Sequence, residues 1–260
     1  MRRALSVHQE RDRIDPDRAA HQHAAYVRAL ERAGVSVVLL APEPDLPDAC
    51  FTWDTMLAFP RAGTVEPTAL LVAARPGEPS RRPEVESVVE CARGLAADAE
   101  LIEIREPGTL DGGDVITYGS RVAIGVSART NEHGANQLAR AVERYGYRAF
   151  LCPVEDRLHL ASAVSPLGPT RMIGTVAGYR SLDSAGAEVA PHGEIERLII
   201  PDRDLAAANV LVAAGHCFVV RGHKAAVAAM RRAGEAVVEI DLEDFVRADG
   251  GPTCLVAPVP

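Results

Sequence analysis

Aromatic side chains are scarce in this sequence of 260 residues, at 4% of the chain with a single tryptophan. The hydrophobic core must therefore be packed mainly by Ala, Val and Leu. Hydrophobic residues still make up 47% and charged residues 25%, which is typical of a soluble globular protein. Long hydrophobic runs are missing, since no stretch approaches the roughly 20 apolar residues of a membrane-spanning helix. The first ten residues also lack the apolar segment of a signal peptide, so we expect a cytoplasmic protein with no membrane partner.

The sequence also has no excess of positive charge. Its formal net charge is -8, whereas a nucleic-acid partner requires clustered Lys and Arg to neutralise phosphates. The negative balance is compatible with a small cationic substrate. Cysteine pairs with metal-site spacing are absent too, because there is no CxxC and the number of cysteines is odd. We therefore expect reduced thiols, rather than a disulfide framework or a zinc cluster, at Cys50, Cys91, Cys152, Cys217 and Cys254.

Short strands and helices alternate along the chain. Apolar residues at helical spacing predict helices over residues 16–34, 83–95, 131–145 and 223–233. Apolar and β-branched runs predict strands around residues 35–40, 56–59, 69–74, 101–104, 115–118, 121–126, 149–152, 158–164, 171–174, 198–200, 208–213, 217–220, 236–240 and 255–259. Residues 180–195 are predicted to be irregular or weakly helical.

This alternation forms a degenerate internal repeat of roughly 50 residues, a period typical of arrays and propellers. Each unit has the order strand, strand, helix, strand. Each unit also begins with one polar residue just before or within an apolar run. A ring of such units would bring these residues to one central cavity; they are Asp54, Asp114, His159, Asn209 and Cys254.

A thiol and an imidazole in one cavity are a nucleophile and its proton shuttle. A carboxylate that orients the imidazole completes a catalytic triad, and either Asp111 or Asp114 could serve. Further acids around the thiol would raise its pKa unless a cation arrives. A guanidinium or amidinium ion supplies that cation, and its planar shape suits carboxylate contacts. The acids therefore point to a guanidino substrate rather than a peptide or an ester.

Each of these residues also has a purely structural interpretation. His159, between two leucines, has the pattern of a hydrogen-bonded core histidine. The Asp-Gly-Gly-Asp segment at 111–114 has the composition of a turn. Arg81 and Arg129 have the character of solvated surface charges. The functional hypothesis depends on the repeat that brings these residues together.

Together, several segments resemble the dimethylarginine dimethylaminohydrolases of the guanidino-group-modifying superfamily. The resemblance extends over roughly residues 12–257, and the order and spacing of its motifs are highly specific. The motifs lie at 47–55, 75–77, 80–82, 107–115, 127–131, 158–160, 208–209 and 249–254.

The resemblance implies an α/β fold, the pentein propeller, in which five ββαβ units in a single domain, 1–260, surround an active-site channel. The implied catalytic residues are Cys254, His159 and Asp111. The implied contacts of the substrate guanidinium are Asp54 and Asp114, and Asp48 falls where a further substrate contact is made. The implied contacts of the substrate α-carboxylate are Arg81 and Arg129, and those of the α-amino group are the backbone near Ala248 and Gly251. No cofactor and no metal are implied. The expected partner is a small guanidino compound, and a homodimer is compatible with this assignment.

The implied reaction begins with attack of the Cys254 thiolate on the guanidinium carbon. His159 protonates the departing amine, and water activated by His159 then releases citrulline from the covalent thiouronium. One departure concerns Trp53, which stands where the family usually has Glu or another polar residue. A tryptophan there could shrink the pocket or stack on a different guanidine. The alternatives are an arginine deiminase-like enzyme or an amidinotransferase, and a non-catalytic guanidine-binding protein, against which the three catalytic residues argue.

Overall fold

The computed structural model describes residues 13–62, 69–155, 157–185 and 195–260. Within these ranges the chain forms twelve strands in four sheets and six α-helices. The strands are β1 Met56–Pro60, β2 Ala69–Ala73, β3 Glu100–Glu103, β4 Val115–Tyr118, β5 Arg121–Val126, β6 Arg148–Pro153, β7 Val164–Pro166, β8 Arg171–Gly174, β9 Glu196–Ile199, β10 Leu211–Ala213, β11 His216–Val220 and β12 Val237–Ile240. The helices are α1 Pro16–Arg32, α2 Val85–Leu95, α3 Glu132–Arg144, α4 Val176–Asp183, α5 Lys224–Arg232 and α6 Glu243–Val246.

All four sheets have the same topology. In each, the first two strands are antiparallel and the third is parallel to the second, as in the sheet β4-β5-β6. Parallel neighbours need a crossover connection, and here α2, α3, α4 and α5 supply one for each sheet. The ββαβ unit predicted from the repeat is therefore present four times.

Capping residues fix where the helices begin. The side chain of Asn131 accepts a hydrogen bond from Gly134 N at 2.9 Å and starts α3, and Asp15 caps α1 in the same way. The chain leaves α1 through Gly34, which has φ +94°, a conformation that glycine adopts without steric cost. The predicted helices 16–34 and 131–145 are thus confirmed to within two residues at each end.

In the described part of the chain the hydrophobic core consists of five clusters, each between neighbouring units, so the units form a ring. Three clusters join consecutive sheets. The other two join α1 to the fourth sheet and the C-terminal segment to the first. One residue from each side of a cluster illustrates the order around the ring. The pairs are Val72 and Ile124, Ile116 and Met172, Ile173 and Val219, Phe218 and Tyr26, and Ala257 and Leu71.

The predicted strands at 35–40 and 255–259 are wrong, because neither segment belongs to a sheet in the described part of the chain. A strand requires an adjacent backbone to which it can hydrogen-bond. Both segments instead line one groove of about 750 Å³. The strand predicted over 158–164 is also misplaced, since β7 spans Val164–Pro166 and a 3-10 turn spans Leu160–Ser162. In the segment 180–195, α4 continues to Asp183, and residues 186–194 lie outside the described residues.

Five short 3-10 turns form the inner ends of the units. They are Thr52–Asp54, Gly112–Asp114, Leu160–Ser162, Asp202–Ala208 and Thr253–Leu255. Four of them lead directly or within two residues into the first strand of a sheet, and the fifth precedes the C-terminal segment. The polar residues at the start of each unit lie in these turns or next to them. Among the described residues, no helix combines the length and hydropathy needed to cross a membrane.

Candidate active site

Hydrogen bonds connect the 3-10 turns of neighbouring units. Asp54 Oδ1 accepts from Gly113 N at 2.9 Å, which joins the first unit to the second. Leu160 N donates to Asp114 Oδ1 at 3.1 Å, which joins the third to the second. These bonds hold the inner ends of the sheets around one small cavity. Its lining residues are Asp48, Phe51, Asp54, Arg81, Arg129, Leu158, His159, Ala248, Asp249, Gly250 and Cys254.

Cys254 is presented by the turn Thr253–Leu255 and is held by Asn209. Asn209 Oδ1 accepts hydrogen bonds from the backbone N and the hydroxyl of Thr253, at 3.0 and 2.9 Å. Asn209 Nδ2 lies 3.6 Å from the Cys254 sulfur. A Cβ at Gly251 would lie 2.5 Å from Asn209 Oδ1, so only glycine fits there. Desolvation and the nearby charge of Asp54 raise the pKa of the Cys254 thiol to about 11.

His159 lines the cavity and contacts a carboxylate on its other side. Its Nε2 is 3.2 Å from Asp111 Oδ2, and both side chains are buried. Asp111 is held in turn by Gly77 N, which donates to Oδ1 at 2.8 Å. Burial opposes protonation of the imidazole, but Asp54, Asp111 and Asp114 outweigh it and raise the pKa of His159 to about 9. The imidazole is therefore an imidazolium at neutral pH and can donate a proton.

Asp114 is buried away from the cavity. Its Oδ2 accepts from the Ser127 hydroxyl at 2.6 Å, and its Oδ1 accepts from Leu160 N. Burial raises the pKa of Asp114 to about 6. Its oxygens thus fix the turn that follows His159, and Asp114 is not among the residues that line the cavity. Of the two carboxylates considered as partners of the imidazole, Asp111 is the one that contacts it.

Asp54 forms a buried ion pair with Arg81. Arg81 Nη1 lies 2.7 Å from Asp54 Oδ2, and each residue is only 5% exposed. Burial opposes ionisation of Asp54, yet His159, Arg81 and the bond from Gly113 lower the pKa of its carboxyl. Arg81 also pairs with Glu84 at 2.9 Å. Arg81 is therefore a buried cavity residue and not a solvated surface charge.

Glu84 and Asn209 support the site through their side chains, although the sequence predicts a chemical role for neither. Glu84 is 2% exposed, and burial raises the pKa of its carboxyl to about 7, although Arg81 opposes the shift. Its spacing of three residues from Arg81 on a helical turn was the available signal. Asn209 had been recognised only by its position in the repeat, where it corresponds to Cys254.

The remaining predicted contacts are divided between the cavity and its walls. Arg129, Asp48 and Ala248 line the cavity. Nη1 of Arg129 is buried and has no hydrogen-bond partner among the described residues. Gly251 does not line the cavity; its carbonyl accepts from Cys254 N at 3.1 Å and so shapes the turn.

Trp53 does not lie in the cavity. Its indole Nε1 donates to Gly112 O at 2.7 Å, and the ring packs against the cluster between the first two sheets. Trp53 therefore neither narrows the cavity nor offers a surface on which a guanidine in the cavity could stack. A Cβ at Gly112 would lie 1.9 Å from the Trp53 carbonyl oxygen, so the two backbones are in close contact.

Three ligand-type side chains, Asp54, Asp111 and His159, have atoms within 4.8 Å of one another. Their oxygens already accept hydrogen bonds, since Asp54 binds Arg81 and Gly113 while Asp111 faces the imidazole and the Gly77 N–H. The arrangement is suited to holding a proton on the imidazole rather than a metal ion. Thiol, imidazolium and carboxylate together can attack an electrophilic carbon and protonate its leaving group.

Comparison with known proteins agrees with this geometry. The family model described as N,N dimethylarginine dimethylhydrolase, eukaryotic, matches residues 3–164. The N(G),N(G)-dimethylarginine dimethylaminohydrolase of Streptomyces coelicolor is 32% identical over 96% of this chain and 90% of its own length. The chain belongs to the dimethylarginine dimethylaminohydrolase family. The enzyme of that name from Pseudomonas aeruginosa is 30% identical, over 93% of this chain and 88% of the relative.

A solved structure of the family shares the fold. It is the Pseudomonas aeruginosa enzyme, in a cysteine-to-serine mutant complexed with citrulline. It superposes with a TM-score of 0.80 at 28% identity and covers 93% of this chain and 88% of that one. The pentein fold predicted from the sequence is thereby confirmed.

Proposed function

We propose that this protein hydrolyses Nω-methylated arginine to citrulline and methylamine or dimethylamine through a covalent intermediate on Cys254. The observation that carries the proposal is one cavity lined by Cys254, His159 and the Asp54 carboxylate. His159 is held by Asp111 and is protonated at neutral pH. The family relatives carry the name of this activity, and one of them binds citrulline.

The first step needs a thiolate, which the unliganded site disfavours. The pKa of Cys254 is raised to about 11, in part by the charge of Asp54. A bound guanidinium brings an additional positive charge beside the thiol and favours the thiolate. The thiol proton passes to solvent, because His159 already carries a proton. The sulfur then attacks the guanidinium carbon and forms the new C–S bond.

The second step needs an acid for the leaving amine. His159 carries a proton at neutral pH and shares the cavity with Cys254. It donates this proton as the C–N bond to the methylated nitrogen breaks, which leaves a thiouronium on Cys254. His159, now neutral, removes a proton from water, and this water attacks the same carbon. The C–S bond then breaks, citrulline leaves, His159 is again protonated, and the Cys254 thiolate takes up a proton from solvent. Asp111 keeps the imidazole oriented in both steps.

Both ends of an arginine-type substrate have counterparts in the cavity. The guanidinium would pair with Asp54, and the unpartnered buried N–H of Arg129 would bind the α-carboxylate. We also propose a cytoplasmic location, since the five cysteines are free thiols, as a reducing compartment favours.

The test is a product assay with asymmetric dimethylarginine, monomethylarginine and arginine as substrates. We expect citrulline with dimethylamine or methylamine from the first two, and loss of roughly 10³-fold or more of the activity in Cys254→Ser. His159→Asn should lose activity without accumulating a covalent adduct, because the acid that expels the amine is missing, and intact-protein mass spectrometry checks this. Citrulline and ammonia from arginine alone would instead identify a deiminase. Transfer of an amidino group to an added amine would identify a transferase.

A further inference from the structure

The negative charge that a guanidinium substrate requires is already neutralised in this structure. Arg81 Nη1 occupies Asp54 Oδ2 at 2.7 Å, and Gly113 N occupies Oδ1 at 2.9 Å. The cavity beside this pair has a volume of about 20 Å³, which is space for about one water molecule. An arginine-type ligand therefore enters only if one of the lining groups gives way.

Each of the three nitrogen atoms of Arg81 already has at least one partner. Its Nε donates to Glu84 Oε2 at 3.0 Å, and its Nη2 lies 2.9 Å from the same oxygen. Nη2 also donates to the carbonyl oxygens of Phe51 at 3.2 Å and Asp48 at 3.4 Å. A guanidinium has five N–H donors, and these contacts use most of them. Arg81 can therefore bind a carboxylate with two parallel hydrogen bonds only after it releases one of its present partners.

Arg129 is in a different state. It lines the same cavity, and its Nη1 is buried with no hydrogen-bond partner among the described residues. A buried donor without a partner is costly and is satisfied when an anion arrives. Arg129 therefore has a donor available for a carboxylate. Arg81 instead occupies the position beside Asp54 at which the substrate guanidinium would bind.

We propose that substrate binding exchanges the partners of the Arg81–Asp54 ion pair. The substrate guanidinium replaces Arg81 on Asp54, and Arg81, still held by Glu84, turns to bind the substrate α-carboxylate beside Arg129. This inference rests on the proposed function, because it takes an amino acid with a guanidinium side chain as the ligand. No covalent bond changes in the exchange.

The exchange makes the two ends of the substrate interdependent. A guanidine without a carboxylate would separate the buried Arg81–Asp54 ion pair. Arg81 would then keep Glu84 but gain no carboxylate in place of Asp54. Breaking a buried pair without replacing the lost partner is strongly unfavourable. A zwitterionic ligand supplies both replacements, so the site selects for amino acids over simple guanidines even though the chemistry needs the guanidinium alone.

The test measures binding of two ligands to the Cys254→Ser variant, in which turnover is blocked. The ligands are Nω-methyl-L-arginine and its decarboxylated amine, and calorimetry or the fluorescence of the single tryptophan, Trp53, follows binding. We expect the amino acid to bind at least 100-fold more tightly. Adding Arg81→Met should weaken binding of the amino acid at least tenfold and tighten binding of the decarboxylated amine about tenfold, because Asp54 becomes free.

Arg129→Met is the matched control, since it removes a second positive charge from the same cavity. It should weaken binding of the amino acid and leave binding of the decarboxylated amine within about threefold. If Arg81→Met does not tighten binding of the amine, or if Arg129→Met tightens it equally, the exchange is wrong. A crystal structure of Cys254→Ser with Nω-methyl-L-arginine bound gives an independent answer if Arg81→Met does not fold. Retention of the Arg81–Asp54 hydrogen bond in that complex would also refute the exchange.

The binding test is separable from the proposed reaction. Opposite shifts for the two ligands, without citrulline production by the parent protein, would count against the hydrolysis alone. Citrulline production without tightening of amine binding in Arg81→Met would count against the exchange alone. Failure of Cys254→Ser to bind either ligand would count against the exchange.

Discussion

Carboxylates of the same chemical type have different roles around Cys254, and their hydrogen bonds determine which. Asp111 faces the imidazole of His159, Asp114 holds the following turn, and Asp54 holds Arg81. In each of them one oxygen accepts a backbone N–H, so the role depends on which side chain faces the other oxygen. The sequence contains all three residues, but it does not show which oxygens are already in use.

The Asp111 carboxylate can be tested through the acidity of His159. In Asp111→Asn the hydrogen bond to the charged carboxylate is lost, so the pKa of His159 falls below about 9. The alkaline limb of kcat, which follows loss of the imidazolium proton, should move to lower pH. The value of kcat at its optimum should fall by roughly 10³-fold. A pH–rate profile measures both, and the exposed Asp98→Asn serves as the control. An unmoved alkaline limb would assign that limb to another group.

Glu84 is predicted to act on substrate binding and not on the chemical step. Glu84→Gln removes the charged anchor of Arg81 while keeping nearly the same shape. KM for methylated arginine should rise roughly tenfold with kcat within about twofold, because charged hydrogen bonds contribute about 1.5–3 kcal/mol. Steady-state kinetics check the separation of the two constants. Glu86→Gln, an exposed acid two residues away, should change neither. A fall in kcat without a rise in KM would contradict this assignment.

At the scale of elements, short-range patterns were predictable and long-range pairing was not. The ββαβ order, the caps at Asn131 and Gly34 and the polar residue in each turn follow from local composition. Residues 35–40 have strong strand propensity, yet a strand exists only where a partner backbone lies alongside. Likewise, Arg81 looks like a surface charge until Asp54, 27 positions earlier, is brought against it. Such contacts depend on how the units close into a ring.

The turn at Gly112–Asp114 gives a prediction about an element rather than a side chain. A Cβ at Gly113 would lie 2.5 Å from His159 Nδ1 and 2.9 Å from Asp54 Oδ1. Gly113→Ala should therefore displace both groups and lower kcat/KM at least 100-fold. Gly94→Ala in α2 meets no atom within 4 Å and should retain full activity. It should also gain up to about 0.5–1 kcal/mol of stability from helix propensity. Equal activity in the two variants would refute the steric argument.

At the scale of the whole molecule, the ring explains why so many ionisable groups are buried in one place. Each inner turn supplies a polar residue, and closure of the ring removes water from all of them. Among the buried acids, bases and thiols near the cavity, the pKa values of Cys254, His159, Glu84 and Asp114 are all raised. Each of these groups binds its proton more tightly in the folded protein than in the unfolded chain. The stability of the protein must therefore depend on pH in a defined direction.

The direction follows from linkage between protonation and folding. Where the folded state holds more protons than the unfolded state, stability falls as pH rises. His159 acts in this way between 6.5 and about 9, Glu84 between 4.5 and about 7, and Asp114 between 3.8 and about 6. The pKa of Asp54 is lowered, so its ionised form stabilises the fold. This contribution to the free energy of unfolding is lost only as pH falls below 3.8. The free energy of unfolding should thus be greatest near pH 4–5 and decline through pH 9.

Urea titrations from pH 4 to pH 10 measure this dependence. His159→Asn should remove most of the decline between 6.5 and about 9, because His159 is the group whose pKa shift spans that range, while Glu84 contributes only below about 7. The exposed His21→Asn should leave the decline unchanged. Stability that rises between pH 6.5 and 9 would contradict the protonated state of His159. An unprotonated His159 could not protonate the leaving amine either. Stability and catalysis therefore test the same proton on His159 independently.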